Sequence, residues 1–505
     1  MLSLGMFIRK KLNKSGSTSI QILQKIGRKN KVLRTVGCSS DPQEIDRLYK
    51  QAQEDSYRFY GPTLFDSVSA TNFQDITNDG IRVIGGEKIF GALYHRIGYH
   101  VLDDSLLRSL VISRLTHPGS KLKLSQYLSS ANQPSISVYS IYRFMDKISD
   151  RYKSQIERIS YDYTLSILQN KISVVFYDMT TLYFESSQPD ELRIPGFSKE
   201  GKHQHPQIYI GLLVGVNGYP IGYDVFEGNT YEGHTLIPIL QRFEKQFDIG
   251  RPIVVADSGL LNKENIKTLA ESGYQFILGA RIKKESIPIL EAVKNLQWKD
   301  GMVVEYNKPD QGRLIVEYRE SRAKKDAFNR ERGLGKLEKQ VKSGKLTKAN
   351  INNRGYNKYL KMNGDISIEI DYQRYQQDAG MDGIKGYLTN TDLPPKDVIS
   401  NYRELWHIER AFRISKTDLQ IRPIYHRLRS RIEVHVCISF MAYLMYKEFE
   451  RLLRVGNTGI SVTTAIEQIN KMYEILIQDE KGKTKAFRPA NNTLQQKIED
   501  IIGGI

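Results

Sequence analysis

Cysteine is nearly absent: Cys38 and Cys437 are the only two in 505 residues. With no paired spacing they exclude a disulfide scaffold, offer no C-x-x-C metal or redox motif, and suit a reducing compartment. Long hydrophobic runs are missing as well. The longest nearly apolar stretch, Cys437–Tyr446, is far shorter than the ~20 residues a membrane-spanning helix needs. The opening MLSLGMFIRKKLNK carries its positive charge after a short apolar piece, without a small-residue cleavage site, so no secretory signal is expected. Acid is in short supply: 57 Asp and Glu face 74 Lys and Arg, a net charge of +17. Hydrophobic residues at 40% and charged residues at 26% are globular values, which excludes disorder as the main state. The length corresponds to about three domains of ~150 residues, with no internal repeat. A soluble cytoplasmic protein is the expectation. The basic surplus, with a pI near 9.4, points to a polyanionic partner, most often nucleic acid, although basic charge also serves solubility alone.

Along the chain, 1–45 reads as a small basic β unit. Residues 46–169 read as mainly helical, with Ser105–Thr116 ending at His117-Pro118-Gly119 and Ser135–Ile148 opening on possible caps. This stretch is a candidate for binding DNA ends, with Ser140, Tyr142 and Arg143 on an exposed face; ordinary helix packing is the plainer alternative. From 170 to 282 the pattern is α/β. Ile172–Tyr177 is a β-branched apolar run that ends on Asp178, and Ile208–Val216 and Tyr219–Phe226 are joined by Asn217-Gly218, a favoured hairpin turn. A helical segment, a second buried-strand run Pro252–Ala256 ending on Asp257, another helix and a strand follow. Three strands, helix, strand, helix, strand is the chain order of an RNase H-like layer. Residues 283–385 are expected to form a β-rich insertion. Within it, Arg319–Lys361 holds fourteen basic residues against four acidic ones, a surplus of ten. Residues 386–448 return to the core, with one long helix expected from Asp397 to Lys416, and 449–505 read as a C-terminal helical region.

Asp178 and Asp257 each end a strongly apolar strand. Neighbouring strands lie ~4.8 Å apart, so two such carboxylates can converge. They then repel and desolvate one another unless a cation lies between them, and hard divalent ions such as Mg²⁺ take oxygen ligands. The third acid should come from a helix beside the sheet. Tyr402, Glu409 and Lys416 recur every seven residues and, at ~100° per residue, share one helix face. An aromatic hydroxyl, a carboxylate and an ammonium on one face suit a phosphate. The bland alternative is a surface helix with a Glu409–Arg413 pair. Glu404 is the fallback acid, ~140° away around the helix.

These residues carry a resemblance. Tyr177-Asp178-Met-Thr180-Thr-Leu-Tyr183-Phe184, Val254-Val-Ala-Asp257-Ser-Gly259, and Tyr402 to Lys416 continuing through Asp418, Arg422-Pro423 and Tyr425-His426 resemble the acid blocks of DDE-type transposases of bacterial insertion sequences. The similar branch is the cut-and-paste, IS four-like superfamily with a β-rich insertion before the catalytic glutamate. The likeness runs over roughly 170–445, and Asp382-Gly383 to Thr389-Asn390 shares it. The family signature is Y-x2-R-x3-E-x6-K, and here Leu405 stands where the arginine belongs.

The resemblance implies an RNase H-like core interrupted by the insertion, with Asp178, Asp257 and Glu409 as catalytic and metal-binding acids. Two Mg²⁺ ions ~3.5–4 Å apart are implied, with Mn²⁺ as a substitute. Tyr402, Lys416, Arg403, Arg413, Arg422 and Arg427 would bind DNA phosphates; Arg403–Arg431 has eight basic residues against three acidic ones. The implied activity is cleavage at transposon ends and strand transfer into target DNA. The partners are terminal inverted repeats and target DNA, with a homodimer in the synaptic complex, no membrane, and a nucleoid-associated cytoplasmic location in a bacterium. The alternative is an RNase H-like DNA-binding protein or nuclease derived from such an enzyme, catalytically silent or without strand transfer. Trp298 is a possible base-stacking residue or, more simply, core, and His203 with His205 reads as a polar turn rather than a zinc site.

Overall fold

The structure is a computed structural model that describes residues 6–26, 29–59, 80–131, 136–185, 188–196, 204–247, 250–260, 262–309, 311–344, 346–352, 355–363, 367–478 and 484–503. It divides into two compact units, one of Met1–Val83 with Met472–Asn491, the other of Ile84–Lys471 with Asn492–Ile505. No helix among the described residues is long and apolar enough to cross a membrane.

In the smaller unit, Met6–Leu12, Thr18–Ile26 and Lys29–Ser39 form an antiparallel sheet. Ile20 and Ile22 project from one face of the middle strand and pack with Leu48 and Ala52 of the helix Pro42–Phe59. Their i, i+2 and i, i+4 spacings are the strand and helix periods on which such a core depends. A second sheet pairs Tyr473–Gln478 with both Ile81–Val83 and Thr484–Phe487. The tail expected to be helical therefore contains two strands; the alternating Tyr473-Glu-Ile-Leu-Ile-Gln segment finds its partner in a strand almost 400 residues earlier, which local periodicity cannot reveal.

The larger unit is built on a nine-stranded mixed sheet. The strand Val174–Tyr183 pairs antiparallel with Pro206–Val214, which pairs in turn with Pro220–Glu227. On its other side it runs parallel to Ile253–Ala256, and that strand runs parallel to Phe276–Ala280. Asn217 and Gly218 both take positive φ (62° and 75°) in the hairpin turn, a conformation that asparagine and glycine tolerate best. All nine residues of Pro206–Val214 are buried, as expected of a strand covered on both faces.

One face carries Val175, Tyr177, Met179, Val254, Ala256, Phe276 and Leu278. They pack on Leu236, Ile239, Leu240, Phe243 and Phe247 of the helix Leu236–Phe247, and on Ile266 and Leu269 of Lys263–Glu271. Each Val, Leu, Ile, Phe or Met among them, fully buried, contributes about 1.5–3 kcal/mol. The opposite face is met by Pro395–Arg403, Trp406–Thr417 and Arg429–Val455. The last is buried nearly all round, as a core helix should be.

Residues 283–385 depart from the β-rich expectation. Val303–Lys308 and Gly312–Tyr318 form the expected hairpin, but it extends the main sheet through Ile384–Thr389. Much of the remainder is helical: Ile287–Asn295, Glu320–Lys342 and Tyr372–Ala379. The longest of these occupies the basic stretch, where Lys324–Glu320 (2.8 Å) and Arg322–Asp326 (3.5 Å) pair one turn apart. Trp298 donates its indole N–H to the Val293 carbonyl (2.9 Å) and packs at the edge of the Val293–Leu314–Val316 cluster, a core position.

Candidate active site

The sheet register brings the two aspartates level. Tyr177 lies opposite Ala256 on the parallel strand, so Asp178 and Asp257 are each the next residue along. Tyr177 and Ala256 face the core formed with Leu236–Phe247. By strand alternation Asp178 projects from the other face, together with Phe176, Thr180 and Leu182. Asp257 follows the last strand residue, and its Oδ1 accepts from the Ser258 N–H (2.7 Å). Asp178 is half-buried and Asp257 exposed.

The helix Trp406–Thr417 lies along that face. Its His407 ring is 6.4 Å from Phe176, while Phe412, Ser415 and Lys416 enclose a cavity of about 30 Å³ with Thr180 and Leu182. Glu409 lies on the exposed flank of this helix, ~160° around from His407 and ~60° from Phe412. It is exposed and near enough to influence the ionisation of Tyr402. Among the described residues no three His, Cys, Asp or Glu side chains close into a single metal-binding group.

The expected single helix is broken. Pro395–Arg403 stops, Glu404 and Leu405 form a turn, and the next helix starts at Trp406. The crossing bonds span three residues: Leu405 N to Tyr402 O (3.1 Å), His407 N to Glu404 O (3.0 Å) and Ile408 N to Leu405 O (3.2 Å). This tighter winding shifts the phase between Tyr402 and Glu409 from that of a continuous α-helix. Leu405, buried at the break, fills an apolar position where the signature has a cation.

Tyr402 is 5% exposed, and its hydroxyl donates to Asp257 Oδ1 at 3.1 Å. Burial, followed by the Asp257 charge, pushes its ionisation well above the ordinary tyrosine range, so it remains a donor. The hydroxyl thus supports a carboxylate in this structure. Its ring stacks edge-on to Tyr387 (5.0 Å), with Lys385 Nζ 4.4 Å from the ring centre. Burial, and then the nearby Arg322, lower the Lys385 pKa; Asp257 and Glu317 oppose them. Gly279 makes room for this arrangement, because a Cβ there would overlap the Tyr402 hydroxyl. Arg281 Nη2 donates to the Ser258 carbonyl (2.7 Å) and secures the turn after Asp257. The sequence reading missed Lys385, Gly279 and Arg281. Only the alternation of Lys385 with Tyr387, once that strand is placed beside Asp257, would have pointed to the lysine.

The remaining expected residues separate. Arg403 donates to the buried Glu317 (2.6 Å), which Arg319 also engages (2.7 Å), so its charge already has a partner. Arg410, a helix cation that could stand in for the signature arginine, is paired with Glu450. Arg413 and Arg427 are exposed, and Arg422 lies 5.7 Å from the Tyr183 ring. Glu404, the fallback acid, binds His407 (2.7 Å) beside a different cavity, lined by Asn217, Tyr219 and Glu450. His205 hydrogen-bonds the Phe184 carbonyl through a ring nitrogen (3.3 Å), and His203 lies outside the described residues.

Two level carboxylates, Asp178 within its strand and Asp257 just past the end of the next, with Glu409 on the covering helix, offer hard oxygen donors without His or Cys, a chemistry suited to Mg²⁺ or Mn²⁺. The family model described as "Transposase DDE domain" matches residues 169–445, more than half of the chain and spanning all three acids. The chain belongs to the transposase DDE-domain family. No curated protein matches it. Among solved structures, it is similar to a piggyBac transposase synaptic complex with hairpin DNA, at 10% identity and TM-score 0.37, over 88% of this chain and 74% of that one. It is also similar to a Mos1 transposase paired-end complex with left transposon end, at 11% identity and TM-score 0.16, over 45% of this chain and 66% of that one. The DDE-domain match ends at 445, inside the helix Arg429–Val455.

Proposed function

We propose that this protein is the DNA transposase of a bacterial insertion sequence, with an RNase H-like core in which Asp178, Asp257 and Glu409 are the catalytic acids. The observation that carries the reading is the level placement of Asp178 and Asp257 on adjacent parallel strands under a helix bearing Glu409. These carboxylates would hold divalent metal, Mg²⁺ or Mn²⁺, which when bound supplies Lewis-acid stabilisation of charge on the reacting phosphate. Tyr402 orients Asp257 through its hydrogen bond, and Arg281 fixes the backbone beyond it. Lys416, beside Thr180 and Leu182, and the exposed Arg413 and Arg427 would contact DNA phosphates around the scissile bond. Water attacks first, and the freed 3′-hydroxyl then attacks target DNA. In each step a new P–O bond forms as the P–O bond in line with it breaks. Two ends held together call for a dimer on DNA.

A second reading, a silent DNA-binding derivative, draws on the buried Leu405 in place of the signature arginine. The test is Mg²⁺-dependent nicking of duplex DNA carrying the element's own ends. Cleavage at the ends is expected; specific binding with no nicking in Mg²⁺ or Mn²⁺ leaves the silent reading.

A further inference from the structure

Far along the chain from the three acids, the turn His117-Pro118-Gly119-Ser120 leads into the helix Lys121–Ala131. Lys121, its first residue, is 5% exposed, and its Nζ has no hydrogen-bond partner among the described residues. It lines a cavity of about 280 Å³ with Ser120, Tyr142, His426 and His435. A buried guanidinium stands close by. Arg114, 3% exposed, donates through Nη1 to the carbonyls of Gln420 (3.3 Å) and Leu419 (3.5 Å), and its Nη2 is unpaired. His435 Nε2 donates to the Ile421 carbonyl (2.8 Å), and its buried Nδ1 is also unpaired.

Among the described residues no carboxylate lines this cavity. Asp146, which acts on His426 from the helix Val138–Ile167, is held in two hydrogen bonds by Arg431 (2.6 and 2.7 Å). Burial and then Arg114 hold the Lys121 amine well below the ordinary lysine range, so an anion beside it would restore its charge. Ser120 Oγ accepts from the Lys123 N–H (3.3 Å), and the helix start adds positive potential on the same side. An unpartnered buried amine, a buried guanidinium, a helix N-terminus and no acid among the described lining residues make a cradle for negative charge.

We propose that this cavity is an oxyanion site that takes one phosphate group, held by Lys121 with Ser120 and the helix N-terminus. Two sources share that chemistry, a DNA backbone phosphate and free phosphate. Only the assignment to DNA rests on the transposase reading; phosphate binding itself does not.

The experiment titrates inorganic phosphate into the full chain at constant ionic strength, with calorimetric detection, comparing wild type with Lys121→Met. In wild type the ionisation of His426, which burial and then Lys121, Arg431 and Arg114 push down to about 4, is followed by NMR. This second measurement needs no variant to fold. The expected result is saturable one-to-one binding, lost at least tenfold in Lys121→Met, with the His426 titration moving upward in phosphate. Binding of a duplex of arbitrary sequence then separates the sources. A log K against log [salt] slope shallower by about one in Lys121→Met assigns the site to DNA; an unchanged slope with lost phosphate binding assigns it to free phosphate. No saturable phosphate binding, an unmoved His426 and an unchanged DNA slope together overturn the proposal.

Discussion

Tyr402→Phe removes one oxygen from the protein and leaves the ring against Tyr387 and Lys385. The lost interaction is the 3.1 Å hydrogen bond to Asp257 Oδ1, made inside a site where Tyr402 is 5% exposed. A hydrogen bond to a charged group contributes about 1.5–3 kcal/mol, and ~1.4 kcal/mol is tenfold in rate. Nicking at fixed, subsaturating Mg²⁺ should therefore fall by roughly 10- to 100-fold. A group that orients a metal-binding carboxylate acts through metal affinity, so most of the loss should be recovered at higher Mg²⁺. Folding stability should fall by a comparable amount, about 1.5–3 kcal/mol, because the bond is already made in the folded state. Because Tyr402 ionises above the ordinary tyrosine range, its donor role should produce no step in the pH–rate profile near pH 10. The assay is single-turnover nicking of an end-bearing duplex across a Mg²⁺ series. Wild-type rates and wild-type Mg²⁺ dependence in Tyr402→Phe would refute the argument that this hydroxyl supports Asp257.

Gly279→Ala forces a methyl into the Tyr402 hydroxyl and to 3.2 Å from the Ser258 nitrogen. It should cost about 1–3 kcal/mol of stability and lower nicking at least as much as Tyr402→Phe, read from thermal melts and the same assay. Asp378 gives a pH prediction away from the site. Burial alone would raise its pKa, but Lys283 (2.7 Å), Lys358 and the Tyr359 hydroxyl (2.8 Å) hold it well below the carboxylate range. A depressed carboxylate stabilises the fold above its unfolded pKa of ~3.9 and loses that contribution as pH falls through its folded value. Asp378→Asn should then be less stable than wild type by about 1–3 kcal/mol at pH 7 in urea, with the gap narrowing below about pH 4.

The parts of the site legible in the sequence were those set by local chemistry. The apolar run before Asp257 marks a buried strand end, and Asn217-Gly218 marks its hairpin because both residues accept positive φ. The run before Asp178 does not end its strand, which continues through Met179-Thr-Thr-Leu-Tyr183 because that segment pairs with Pro206–Val214. The break at Glu404 and Leu405 was hidden, since both residues favour helices and the interruption shows only in three-residue hydrogen bonds. The helix Glu320–Lys342 was hidden for the opposite reason. Gly333 and Gly335 weaken its local signal, and Gly333 is there because the Tyr356 ring lies where a Cβ would be. Lys385 and Gly279 gain meaning only through the strand order that brings Ile384–Thr389 beside Phe276–Ala280. Pairings between distant segments leave no periodic trace in either one.

The most direct test of the central claim compares Glu409→Ala with Glu404→Ala in Mg²⁺-dependent nicking of the element's ends. Glu409 is carried by the helix that packs against the Asp178 strand, whereas Glu404 is bound to His407 beside another cavity. Nicking reduced to background in Glu409→Ala, with DNA binding intact and Glu404→Ala still cleaving, is the predicted result. Full cleavage by Glu409→Ala, or loss confined to Glu404→Ala, would contradict the three-acid site.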